Sequence, residues 1–110
     1  MRTLSLIIAA GIITLLAKPA LADQGVILAV PSGCDYFAAE SPKGLVVLEW
    51  YGGHQPSADE KIVGDFDQYG FHDIYVLPAG SQMRVWVEDY LLSRDRAAAI
   101  LAEKFHLLGR

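Results

Sequence analysis

The sequence predicts an α+β domain: a small antiparallel β-barrel or curled sheet of five or six strands, followed by one C-terminal helix. Three observations lead there. Short runs rich in β-branched and aromatic residues recur between Val26 and Tyr90, with a turn signal about every 8 to 12 residues. After Leu92 the apolar period changes from two to about 3.6. Beyond residue 22 no apolar run approaches the roughly 20 residues that a membrane-spanning helix needs.

Residues 1–22 read as a signal peptide. Arg2 is a positive n-region, and Leu4 to Ala17 is an apolar stretch free of charge. Pro19 breaks the helix, and Ala20-Leu21-Ala22 presents the small-x-small pattern of a signal peptidase site. Cleavage after Ala22 and a periplasmic or secreted protein are the expectation, with no membrane span in the mature form.

Residues 23–33 are expected to be an N-terminal arm or a short strand, Val26 to Val30, ended by Pro31-Ser32-Gly33. The barrel domain is then residues 34–110. Asp35–Glu40 and Leu45–Tyr51 form a hairpin around Ser41-Pro42-Lys43-Gly44. Gly52 to Asp59 is the longest loop. Glu60–Phe66 is a strand in which Gly64 signals a bulge or barrel corner. Asp67-Gln68-Tyr69-Gly70 turns into Phe71–Leu77, and Pro78-Ala79-Gly80-Ser81 turns into Met83–Tyr90. In that last strand Met83, Val85 and Val87 alternate with Arg84, Trp86 and Glu88. Ser93 is an N-cap for a helix over 94–107, with Asp95 in its first turn. Ala97, Ile100, Leu101, Lys104, Phe105 and Leu108 fall near one stripe, and Gly109 suits the C-cap. In architecture this is an SH3-like or OB-like barrel.

Composition narrows the partners. Without residues 1–22, 88 of the 110 residues remain; Arg2 and Lys18 are lost, leaving seven basic against thirteen acidic residues, a net charge of −6 with histidine neutral. The basic residues are scattered. Such a chain repels phosphate backbones and anionic headgroups, which argues against nucleic acid. The single cysteine, Cys34, rules out an intramolecular disulfide. It is a small hydrophobe, an intermolecular disulfide that would make a homodimer or tether a partner, or a lipid-bearing residue.

No strong catalytic motif is present, and no cofactor is implied. Asp65, Asp67 and Asp73 fall at positions 1, 3 and 9 of a calcium-type loop, but Tyr69, His72 and Val76 replace the residues such a loop requires. Their simplest role is a solvated hairpin turn. His54, His72 and His106 lack zinc-site spacing; His54 reads as a solvated loop residue and His106 as a helix-rim residue. Glu49, Glu88 and Asp89 lie beside aromatics, as in carboxylate-dependent hydrolases or lyases, but outward polar positions on half-buried strands explain them as well. The aromatics say more. Trp50 and Tyr51 are adjacent and cannot both face inward, and Trp86 shares a face with Arg84 and Glu88. Trp50, Tyr51, His54, Trp86 and Tyr90 are therefore the expected ligand-binding set of a non-enzymatic binding module for a peptide, an envelope protein or a glycan. The competing reading is that the helix or the N-terminal arm covers that surface.

Overall fold

The computed structural model describes residues 23–108, with side chains through Phe105. It contains β1 (Asp23–Ala29), β2 (Tyr36–Ser41), β3 (Gly44–Gly53), β4 (Lys61–Gly64), β5 (Gly70–Leu77), β6 (Ser81–Leu92) and α1 (Arg94–Leu108). The strands close into a barrel in the order β1-β2-β3-β6-β5-β4, with β4 returning to β1. Two three-stranded meanders are thus joined along β3–β6 and β1–β4, and every pairing is antiparallel. Closure leaves none of the six strands with an unpaired edge to recruit another chain.

The interior follows the period-two pattern. Met83, Val85 and Val87 of β6 face inward beside Ile74 and Val76 of β5 and Ile62 of β4, while Arg84, Trp86 and Glu88 face out. Strand β3 breaks the pattern: Leu45 to Leu48 are all buried. Val46 and Leu48 enter the barrel, whereas Leu45 and Val47 lie outside it with Tyr36, beneath Ala97 and Ile100 of the helix. Apolar cover on both sheet faces is the condition under which a strand reads as a continuous hydrophobic run.

Helix α1 begins where expected, with the Ser93 hydroxyl oxygen accepting the Arg96 N–H at 3.1 Å. Its buried stripe is narrower than the sequence suggests. Ala97 and Ile100 are buried and Leu101 is half-buried, but Phe105 is exposed. A small barrel offers the helix only the β2–β3 sector, so one turn does most of the docking.

Three boundaries differ from expectation. Of the two expectations for residues 23–33 the strand is the one found, as Asp23–Ala29, and because β1 pairs with both β2 and β4 and sends Ile27 into the core, it belongs to the barrel that was expected to begin at residue 34. The fourth strand stops at Gly64, yet Phe66 beyond it still plugs the barrel. Strand β3 runs past Tyr51 through Gly52 and Gly53, which were expected in the loop: Gly53 has φ +84°, and a Cβ there would meet the Gln82 carbonyl oxygen at 2.5 Å, so only glycine lets β3 and β6 approach this closely. The expected leader 1–22 and the Gly109 cap lie outside the described residues, as do the side chains of His106 and Leu108.

Candidate functional site

Strand register brings together residues that are far apart in sequence. Tyr36 of β2 pairs with Glu49 of β3, Glu49 with Trp86 of β6, and Trp86 with Phe71 of β5. The four form one lateral row on the outer wall. Tyr51 lies two residues beyond Glu49 on the same face. Its ring meets that of Phe71 edge-on, with centroids 4.9 Å apart at 90°. Phe71 meets Trp86 at 4.9 Å and 75°. These are favourable aromatic geometries, but they leave Tyr51 51% and Phe71 48% exposed.

Charged groups flank the rings. The Arg84 guanidinium sits 5.9 Å over the Phe71 ring, and its Nε lies 3.5 Å from the Asp73 carboxylate. At the other end, the Lys104 ammonium lies 5.3 Å over the Tyr36 ring and 3.2 Å from Glu88. Between them stands Glu49, beside both the Tyr36 and the Tyr51 hydroxyl. Burial, reinforced by the Glu49 carboxylate, pushes the Tyr36 phenol well above its ordinary range. The Tyr51 phenol is raised chiefly by the negative charge of Glu49.

No family model matches this chain, and no curated protein or solved structure matches it. Its residues must therefore speak for themselves.

Two of the five expected ligand residues, Tyr51 and Trp86, are on this wall. Trp50 and Tyr90 are not: both turn inward against the interior cluster. The Trp50 indole donates to the His54 carbonyl at 2.9 Å, and the Tyr90 ring meets that of Tyr69 at a tilt of 59° with centroids 4.8 Å apart. For Trp50 this follows from alternation, since Tyr51 takes the outside. For Tyr90 the register slips where Val47 pairs with Asp89 and Leu48 with Val87, which re-aims the residues after Glu88. His54 is not freely solvated either. Its Nε2 lies 2.7 Å from Glu60, whose other carboxylate oxygen accepts the Ser57 N–H at 2.9 Å, so the pair clasps the loop after β3.

Phe71, Arg84, Glu49 and Tyr36 were not in the expected ligand set. Alternation against Ile74 and Val76 already puts Phe71 outside. Its meeting with Tyr51 and Trp86 depends on pairing between distant strands.

The three aspartates of the calcium-type loop are not brought together. Asp73 pairs with Arg84 on the wall, because strand β5 has already begun. Asp67 accepts from Lys43 at 2.7 Å, and Lys43 lies 3.9 Å from Asp23. Lys43 holds the Asp67 carboxyl below its ordinary range, while burial, followed by its hydrogen bond with Asp67, raises Asp65. Among the described residues no group of three or more His, Cys, Asp or Glu side chains is placed to hold a metal ion.

Cys34 is free and half-buried. It contacts the cluster beneath the helix and helps line an open concavity of about 420 Å³ at the barrel rim, with Asp35, Trp50, Gln55 and Pro56.

Proposed function

We propose that this protein is an exported, non-enzymatic binding module whose working surface is the outer wall around Tyr51, Phe71 and Trp86. The observation that carries the reading is the cluster of edge-to-face rings Tyr51, Phe71 and Trp86 on the outer wall. The barrel interior is filled by its own side chains, and the helix covers the neighbouring sector, yet two rings of the row remain about half exposed. Clustered exposed aromatics on a small acidic domain suit recognition of a peptide, an envelope protein or a glycan.

The carboxylates that could have supported hydrolase chemistry already have structural partners. Glu88 pairs with Lys104, and one Asp89 oxygen accepts from the Tyr69 hydroxyl and the Tyr90 N–H. Glu49 lies against two tyrosines. Export is supported by the leader pattern of residues 1–22: Arg2, the uncharged apolar stretch Leu4 to Ala17 and Ala20-Leu21-Ala22.

The test is retention by the immobilised mature chain, from cell-envelope extract and from a glycan panel, compared with the Tyr51→Ser/Phe71→Ser double variant. Both side chains are about half exposed, so far-UV circular dichroism should show the fold kept, with a urea midpoint lowered by the lost ring contacts. Components held by the wild type should be lost by the variant. If a folded variant retains the same set, the wall is not the binding surface.

A further inference from the structure

We propose that the wall around Tyr51 and Glu49 binds the guanidinium group of an arginine-bearing polypeptide segment. This deepens the binding-module reading and rests on it. Three observations carry it.

First, the wall already attracts cations to its ring faces. Arg84 covers Phe71 and Lys104 covers Tyr36, at 5.9 and 5.3 Å from the ring centroids. These separations are in the range where the ring quadrupole attracts positive charge. Tyr51 meets the edge of Phe71 on the same wall, and among the described residues no cation of the chain covers its ring.

Second, charge balance is broken at the same place. Asp73 is matched by Arg84 and Glu88 by Lys104. Glu49 forms no ion pair among the described residues. Its neighbours on the wall are the Tyr36 and Tyr51 hydroxyls, with Glu88 and Asp35 close enough to add their negative charges at Tyr51. An incoming cation would gain an aromatic face and a carboxylate together, within a domain whose overall charge is negative.

Third, ring geometry favours a side chain over a sugar. A pyranose needs a broad aromatic face lying in the surface. Interplanar angles of 90° and 75° make the row ridged instead. A guanidinium is thin and planar, stacks on a single ring and can bond a carboxylate through two N–H groups, whereas an ammonium can do only part of this.

The experiment uses the whole mature chain and a capped peptide of alternating arginine and glycine. A peptide with citrulline replacing arginine keeps the planar shape but lacks the charge and carries a carbonyl oxygen in place of one guanidinium nitrogen. Binding is followed by NMR shifts at Tyr51, Phe71 and Trp86. The arginine peptide should give saturable shifts at these rings, and the citrulline peptide should bind about tenfold more weakly or worse. Glu49→Gln keeps the side-chain shape without the charge and should weaken the arginine peptide roughly tenfold. Glu103→Gln removes the same charge from the exposed side of the helix and should change affinity by less than about twofold.

Equal losses from Glu49→Gln and Glu103→Gln would reduce the effect to the general acidic field and overturn the inference. So would equal binding of the two peptides, or binding of phosphatidylcholine vesicles in place of the arginine peptide. If the arginine peptide leaves the wall untouched while Tyr51→Ser/Phe71→Ser still abolishes retention of envelope components or glycans, the inference fails and the binding-module reading stands. If neither effect occurs, both fail.

Discussion

Gly64 and Ile74 share one inward-facing site of the barrel. Gly64 follows Ile62 and Val63 on β4, which pair with Val76 and Tyr75, and a methyl group at its Cα would collide with the Ile74 side chain. Ile74 is 0% exposed, so it has little room to yield. Gly64→Ala should lower the unfolding free energy by about 1–3 kcal/mol, the usual cost of overpacking. Ile74→Val removes the methyl group in the way. The double variant should lose less than the sum of the two single losses, a coupling read directly from urea denaturation. Strict additivity would mean that the site relaxes elsewhere.

The first strand should be indispensable. It pairs along both edges and places Ile27 in the core. A chain beginning at Asp23 should unfold cooperatively, whereas a chain beginning at Ser32 should show no cooperative transition. Intact mass of protein recovered from the cell envelope, under non-reducing conditions, should correspond to residues 23–110. A mass that retains residues 1–22 would contradict export processing, and a doubled mass would assign Cys34 to an intermolecular disulfide.

Tyr36 should be the last tyrosine to ionise, and its ionisation should cost stability at high pH. Its phenol is held above the ordinary tyrosine value of 10.0 by burial and by Glu49. The folded state therefore keeps the proton more tightly than the unfolded chain does. Stability from this group is complete below pH 10 and falls as pH rises beyond it. Absorbance at alkaline pH should show one phenol titrating late. Tyr36→Phe should flatten the alkaline decline of the melting temperature while leaving the neutral-pH curve similar in shape.

The junction between β6 and α1 should respond in opposite directions at neighbouring residues. Leu91 has φ +58° and is 57% exposed, a left-handed conformation occupied by a large apolar side chain. Leu91→Gly should stabilise the protein by about 0.4–1 kcal/mol, because glycine adopts this conformation without strain. Two positions later, Ser93→Ala removes the hydroxyl that accepts the Arg96 N–H and should cost about 1 kcal/mol. Thermal melts of the two single variants check both signs.

Much of the fold was legible locally. Val85 and Trp86 face opposite sides because a strand alternates, and Ser93 starts the helix because its hydroxyl can satisfy an N–H that the helix itself leaves free. The candidate site was legible only in part. Alternation separated Tyr51 from Trp50 and put Trp86 with Arg84. It could not follow Tyr90 through the register slip near Val47 and Leu48, nor predict that Glu60 would hold His54. Leu45 to Leu48 concealed a further ambiguity, since an apolar run does not say which of its residues enter the barrel and which lie under a helix.

Period, turn chemistry and capping act over a few neighbouring residues, so the sequence by itself determined five or six short strands, one helix, the direction of most side chains along them and an acidic balance of charge. Tertiary structure alone decided that β1 closes the barrel, that Gly64 makes room for Ile74, and that Tyr36, Glu49, Trp86 and Phe71 stand in one row. The reason is physical: cross-strand register is set by the closure of the whole sheet around its core, and no local stretch of chain contains that information.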